Sequence, residues 1–133
     1  IHRLWNRRQC TYFNGASNIS QAGGLMALSE EGRKECRTLV DYYLGNAAII
    51  KEGLEKAGLV CYGGVNSPYV WAKAPRGMGS WEFFDFLLEK AHVVVTPGEG
   101  FGKSGEGYVR VSSYGHREDV EKAVKAIVEH IND

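Results

Sequence analysis

The sequence lacks the features that mark several large classes of protein. Its 16 basic and 16 acidic side chains cancel, so the formal net charge is zero and no broad attraction to nucleic acid or to a membrane surface is expected. No run is long and apolar enough to span a bilayer, and no secretory signal opens the chain. We therefore expect neither a nucleic-acid partner nor a membrane.

Cysteine is scarce and widely spaced. The three cysteines, Cys10, Cys36 and Cys61, contain no Cys-x-x-Cys pair, which argues against a disulfide framework or a zinc site. The four histidines have no partner at metal-ligand spacing, so no metal is expected. Reduced thiols without a secretion signal favour a cytoplasmic protein.

What the chain does contain is an alternation of helical and strand periodicities. Helices are predicted over about 1–8, 18–28, 30–57, 80–90 and 117–131, and strands over 59–62, 69–73, 93–95 and 108–112. Ser29 and Ser80 are expected to cap the helices that follow them, and Gly58 to end the long one. This order predicts an α/β (α+β) fold, a small mixed sheet packed by helices.

Two of the predicted helices show a clear apolar face. On the long helix the stripe consists of Leu39, Val40, Tyr43, Leu44, Ala47, Ile50 and Leu54. On the helix after Ser80 the predicted core residues are Phe83, Phe84, Leu87 and Leu88. Both faces are expected to pack against the sheet.

The run VVVTPGEGFGKSGEGYVRVSS, residues 93–113, is the most informative part of the chain. It places a single arginine, Arg110, between Val109 and Val111. An arginine in a strand of core character is costly to bury without an anion, and its guanidinium matches a carboxylate through two hydrogen bonds. The residues leave two interpretations open, a carboxylate-binding arginine in a pocket or an edge-strand arginine in water.

The same run contains a false match to a nucleotide-binding loop. Gly102-Lys103-Ser104 matches the last three residues of the P-loop pattern. Pro97, however, holds the position of the required first glycine, and the loop leads into a β-branched run. Nucleotide hydrolysis is therefore not favoured. Glu99 and Glu106, beside the loop, are expected to be solvated.

Residues 95–110 resemble the signature of fold-type I pyridoxal-phosphate-dependent aminotransferases, in which VTPG…FG…GEGYVR ends in the arginine that grips the substrate α-carboxylate. The segment CTYFNGASNISQAGG, residues 10–24, is similar to the branch of that family that makes LL-diaminopimelate. The resemblance implies pyridoxal 5′-phosphate as cofactor, Arg110 as a substrate-binding residue, and Asn14 as a residue facing both substrate and cofactor. On the residues alone, Asn14 before a glycine is typical of a turn.

The resemblance also implies what this chain does not supply. No lysine here has the sequence context of the Schiff-base lysine, so we expect no catalytic residue in this chain and place that lysine upstream. Residues 1–28 would belong to the large-domain or interface side, and residues 29–133 would form the C-terminal small domain of a fold-type I transferase. A homodimer is implied, in which Asn14 serves the neighbouring subunit.

The implied substrates are small amino and keto acids, namely diaminopimelate, glutamate and 2-oxoglutarate. Two alternatives stay open. One is another class I or II aminotransferase that acts on aromatic or aliphatic amino acids, because fold alone does not decide substrate. The other is a non-catalytic dimerisation module built on the same domain.

Overall fold

The computed structural model describes residues 1–13 and 15–131, and they form two compact units, Ile1–Leu39 and Val40–Asp133. Asn14, assigned above to substrate and cofactor, lies outside the described residues. The predicted division at residue 28 stays a prediction. Within the described residues, every helix is too short or too polar to cross a bilayer.

The first unit is helical. It contains α1 (His2–Tyr12), α2 (Asn18–Leu28) and the start of α3 (Glu30–Lys56). Ser17 Oγ accepts a hydrogen bond from the Ser20 amide at 3.2 Å and caps α2. Ser29 Oγ accepts one from the Gly32 amide at 3.1 Å, so the predicted cap of α3 is confirmed. Neither α1 nor α2 buries a side chain. The unit therefore lacks a core of its own.

The second unit contains a four-stranded sheet. Its strands are β1 (Cys61–Gly63), β2 (Tyr69–Lys73), β3 (Thr96–Pro97) and β4 (Tyr108–Ser112), in the order β1-β2-β4-β3. The predicted fold class, a small sheet packed by helices, is confirmed. All three pairings are antiparallel, so the expectation of a mixed sheet is wrong in that respect.

Two predicted strands differ from the observed ones. The strand predicted over 59–62 begins at Cys61, and the strand predicted over 93–95 is wrong, because only Thr96 and Pro97 pair with β4. His92 adopts a left-handed backbone with φ 56° at the end of the preceding helical turn. The valines that follow lead out of this turn, and Val94 is 73% exposed rather than paired.

The helix after the β2 hairpin also differs from its prediction. It comprises α4 (Ser80–Phe86) and a π-helical turn over Leu87–Ala91. Gly79 occupies the capping position, so the prediction that Ser80 is the cap is wrong. Phe83 and Leu87 are buried as expected and Phe84 is half-buried, but Leu88 is 40% exposed.

The core lies between one face of the sheet and three helices, α3, α4 and α5 (Arg117–Ile131). Alternate residues of β2 and β4 point into it, namely Val70, Ala72, Val109 and Val111. The predicted stripe of α3 is buried only in its second half, at Ala47, Ile50 and Leu54, whereas Leu39 and Val40 are exposed. Helix α5 has the predicted bounds, and Gly58 ends α3 with φ 86° as expected.

Cys61 gives this core a pH dependence. The thiol is buried beside Ala72, and burial raises its pKa from 9.0 to about 11, with a further rise from the Glu55 carboxylate and a reduction from the Lys51 ammonium. The unfolded chain therefore ionises before the folded one. The stability from the neutral thiol is fully present below pH 9.0 and is lost as the pH rises to about 11.

We expect the free energy of unfolding to fall more steeply between pH 9.0 and about 11 in the wild type than in a Cys61→Ala variant. Urea denaturation across this window measures the slopes. Cys36→Ala, at an exposed cysteine, is the matched control and should keep the wild-type slope. Equal slopes in all three proteins would contradict the assignment.

Candidate functional site

Arg110 lies in the interior of the sheet. On β4 it is paired with Trp71 of β2 on one side and with Thr96 of β3 on the other. The edge-strand interpretation of this arginine is therefore wrong. Since Val109 and Val111 point into the core, alternation along the strand directs Arg110 to the opposite face.

That opposite face is rich in aromatic side chains, and we call it the aromatic face. It consists of Tyr62, Tyr69, Trp71, Tyr108 and Arg110. Trp71 stacks on Tyr108 with ring centroids 5.7 Å apart and planes inclined by 18°. Apart from Tyr62, which is exposed, its members are half-buried. A charged group here can meet a ligand, which a group in the core could not.

The guanidinium of Arg110 is held by two aromatic rings. Its Cζ lies 4.4 Å from the ring centroid of Tyr69 and 4.7 Å from that of Phe101. Its Nε is buried and has no hydrogen-bond partner among the described residues. A buried donor left without a partner costs about 1–3 kcal/mol, so the arrangement suits an anion that arrives with a ligand.

The glycine-rich loop brings Phe101 to this position. Two short 3₁₀ turns, Gly98–Phe101 and Lys103–Gly105, are joined by Gly102 with φ 112°. A Cβ on Gly98 would collide with the carbonyl oxygen of Gly105, so the two ends of the loop can approach only as glycines. The loop leads into β4 and not into a helix, as the sequence predicts and unlike a P-loop.

Ser80 and Glu106 attach the loop to α4. The buried Ser80 hydroxyl donates a hydrogen bond to the Gly105 carbonyl at 3.1 Å and accepts one from the Tyr108 amide at 3.3 Å. The Ser80 amide donates to Glu106 Oε1 at 3.0 Å. Glu106 therefore accepts from one amide at the N-terminus of α4, and its side chain is exposed as expected.

A second arginine resembles Arg110 in part. Arg117 also has a buried Nε without a partner in the described chain, and its Cζ lies 5.2 Å from the Tyr42 ring centroid. Its Nη2, however, donates to the Tyr42 carbonyl at 3.3 Å. The Arg117 guanidinium therefore joins α5 to α3, whereas no described residue hydrogen-bonds the Arg110 guanidinium.

Two of the concave regions in the described chain lie away from Arg110 and are less suited to an amino acid. One, a cavity of about 210 Å³, is lined by Val40, Tyr43, Leu44, Asn66, Pro68 and Tyr114 and offers no cation. The other is lined by Arg76, Phe86, Lys90 and His130, and two of its polar side chains already have hydrogen-bond partners in the chain. Arg76 donates to the Ile131 carbonyl at 3.2 Å, and His130 Nδ1 hydrogen-bonds the Ala126 carbonyl at 2.8 Å.

Metal ligands are not grouped at this site. Across residues 1–13 and 15–131, no three His, Cys, Asp or Glu side chains lie close enough together to hold an ion. Of the two site residues predicted from the sequence, the structure places Arg110 on the aromatic face, and Asn14 is outside the described residues. Tyr69 and Phe101 were not among the predicted site residues, and both contact the arginine.

Comparison with known proteins agrees with this fold. The sequence profile of the family described as aminotransferase class I and II matches residues 2–127, and the chain belongs to that family. Within it, the chain is 52% identical over 127 residues to an LL-diaminopimelate aminotransferase of Bacteroides fragilis. The match covers 96% of this chain but 31% of that relative, so the chain spans about a third of its length.

Solved structures give the same picture. The L,L-diaminopimelate aminotransferase from Chlamydomonas reinhardtii matches with a TM-score of 0.91 and 46% identity, over 96% of this chain and 31% of that one. An aromatic aminotransferase from Pyrococcus horikoshii matches with a TM-score of 0.74 and 27% identity, over 79% of this chain and 28% of that one. The predicted resemblance to diaminopimelate aminotransferases is thus confirmed.

The packing of the loop gives a direct test. We expect Gly98→Ala to lower the free energy of unfolding by about 1–3 kcal/mol, because the new methyl group would meet the carbonyl oxygens of Gly105 and Tyr108. Gly100→Ala is the matched control, since a Cβ there meets nothing within 4 Å. Chemical denaturation of both variants provides the comparison. Similar losses at the two positions would show that close backbone approach does not hold this loop.

Proposed function

We propose that this chain supplies the substrate-carboxylate subsite of a pyridoxal-phosphate-dependent aminotransferase that forms LL-diaminopimelate. The reaction would transfer an amino group from L-glutamate to tetrahydrodipicolinate and release 2-oxoglutarate, as a step of lysine biosynthesis. The observation that carries the proposal is Arg110, a half-buried arginine with no anionic partner among the described residues, in a chain 52% identical to an enzyme of that name. Because the chain spans 31% of that relative, the activity belongs to the whole protein.

Arg110 would bind the α-carboxylate of each substrate. Its planar guanidinium can donate two parallel hydrogen bonds to the two carboxylate oxygens, and hydrogen bonds between charged groups are roughly twice as strong as neutral ones. Binding both oxygens sets the direction of the substrate as well as its position. Arg110 would thereby orient the reacting carbon, a contribution to rate through alignment.

Asn14 would complete the site from a neighbouring subunit of a homodimer. Its amide can both donate to and accept from the substrate and the cofactor. The support is the resemblance of the FNGASN segment, residues 13–18, together with the first unit of the fold. Helices α1 and α2 bury no side chain and expose Leu4, Trp5 and Leu25, which suits burial against further protein in a cytoplasmic dimer.

The cofactor, when bound, supplies the electron sink for the chemistry at the substrate carbon. We propose that Asn14 faces the cofactor. Among residues 1–13 and 15–131, we assign no side chain a bond to the cofactor. The part of the site in this chain therefore binds and orients the substrate. The proposal assigns the Schiff-base lysine to a preceding part of the protein.

A second reading is an aminotransferase for aromatic amino acids. The structural similarity to an enzyme of that description, at 27% identity, favours it, and a carboxylate subsite does not distinguish one amino acid from another. Assays with LL-diaminopimelate, an aromatic amino acid or an aliphatic one as donor and 2-oxoglutarate as acceptor separate the two readings. Preference for an aromatic or aliphatic donor would overturn the diaminopimelate assignment.

We expect Arg110→Lys to raise KM for both glutamate and LL-diaminopimelate by about 10- to 100-fold, the equivalent of one hydrogen bond to a charged group. A lysine ammonium is a point charge that does not reproduce the two-bonded geometry. Steady-state kinetics of the whole enzyme measure the effect. Arg117→Lys, at the other half-buried arginine, should leave both KM values unchanged, and an unchanged KM for glutamate in Arg110→Lys would count against the assignment.

A further inference from the structure

We infer that Tyr69 and Phe101 are positioning residues that hold the Arg110 guanidinium ready for a substrate carboxylate. We call this pair of side chains the aromatic clamp. The inference rests on the proposed function of Arg110 as the carboxylate subsite. It assigns the orientation of that arginine to two rings and not to an acidic side chain.

The two rings reach Arg110 from different parts of the fold. Tyr69 lies on β2, two residues before Trp71 and on the same face of the sheet. Trp71 is the cross-strand partner of Arg110. Phe101 comes from the glycine-rich loop. Their centroids are 4.4 Å and 4.7 Å from Arg110 Cζ, well within the range of about 6 Å in which a cation is attracted to an aromatic ring.

Tyr69 is itself held in place by other rings. It meets Tyr114 edge to face at 5.7 Å, and Tyr114 meets Tyr43 of α3 edge to face at 4.7 Å. This series of contacts connects the aromatic face to the long helix. Edge-to-face pairs each contribute about 0.5–1.5 kcal/mol, so the Tyr69 ring has a preferred position.

Phe101 has its own support on the other side of the site. Its ring meets Trp71 edge to face at 5.6 Å, and Trp71 stacks on Tyr108. The loop that carries Phe101 is attached through Ser80 to α4. Both halves of the clamp are therefore connected to the folded core.

Holding an arginine with rings has a chemical consequence. A carboxylate partner would also fix the guanidinium, but it would occupy the hydrogen-bond donors and compete with the substrate. An aromatic ring attracts the cation and leaves the donors at the edge of the guanidinium free. The clamp thus restrains a side chain with about 2 kcal/mol of rotamer entropy while keeping its fork available.

The clamp can be altered without disturbing the core. Tyr69 is half-buried and Phe101 is 54% exposed, whereas the core lies on the opposite face of the sheet. Removing either ring should therefore leave the fold intact. A loss of substrate binding would then report on Arg110.

The test uses the whole enzyme with glutarate, an unreactive dicarboxylate, and with glutamate. We expect Tyr69→Leu and Phe101→Leu each to raise the Kd of glutarate and the KM of glutamate by about 2- to 30-fold, with a smaller effect on kcat. Tyr69→Phe, which keeps the ring, should retain wild-type values. Trp81→Leu removes a 56% exposed ring that contacts Phe84 on α4, and it should also leave both constants unchanged.

A double-mutant cycle separates positioning from general damage. In an Arg110→Ala background, removing either ring should have no further effect on the Kd of glutarate, because the rings act only through the arginine. If ring removal raises the Kd of glutarate by the same factor in the Arg110→Ala background as in the wild type, the inference is overturned. An unchanged Kd in both single variants would also overturn it. Phe101→Leu, on an exposed loop, keeps the test decisive if Tyr69→Leu does not fold.

The same experiment distinguishes the inference from the function on which it rests. A wild-type enzyme that binds glutarate but transfers no amino group contradicts the proposed function, and the Kd values then still decide the inference. A wild-type enzyme that transaminates normally while both ring variants keep their glutarate Kd overturns the inference alone. A wild-type enzyme that does not bind glutarate overturns both.

Discussion

The register between β2 and β4 determines which face of the sheet carries Arg110. It sets Trp71 opposite Arg110 and directs both away from the core, while Val70 and Val111 point into it. Because side chains alternate along a strand, a shift of one residue would bury the guanidinium among apolar groups and expose the valines. The burial of the core residues therefore also fixes the orientation of the arginine.

The second element of the site is local and depends on glycine. Close contact between Gly98 and Gly105 shapes a loop that places Phe101 against Arg110. Ser80 holds that loop to α4 through hydrogen bonds on both sides of its hydroxyl. Core packing on the opposite face of the sheet thus orients the arginine, and the loop supplies Phe101, one of the two rings beside it. The result is a cation that is restrained but not neutralised by the described chain.

The sequence predicts those elements that depend on residues close together in the chain. The bounds of α5, the cap of α3 at Ser29 and the strand that carries Arg110 follow from periodicity and capping residues. Contacts between residues far apart in the sequence are not predicted by local pattern. The Ser80 hydroxyl, expected to cap α4, donates instead to the Gly105 carbonyl, 25 positions away. The valine run after His92 is likewise not a strand, because only Thr96 and Pro97 pair with β4. Tyr69 could have been placed beside Arg110 only once the register was known, and Asn14 rests on resemblance alone.

A crystal structure of the whole protein with glutarate bound would show directly how Arg110 meets a carboxylate. We expect one carboxylate of glutarate to lie in plane with the Arg110 guanidinium, with two nitrogen–oxygen distances of about 2.7–2.9 Å. The rings of Tyr69 and Phe101 would remain against the guanidinium. Glutarate bound elsewhere, with Arg110 turned away to pair with an acidic side chain, would show that Arg110 is not the carboxylate subsite.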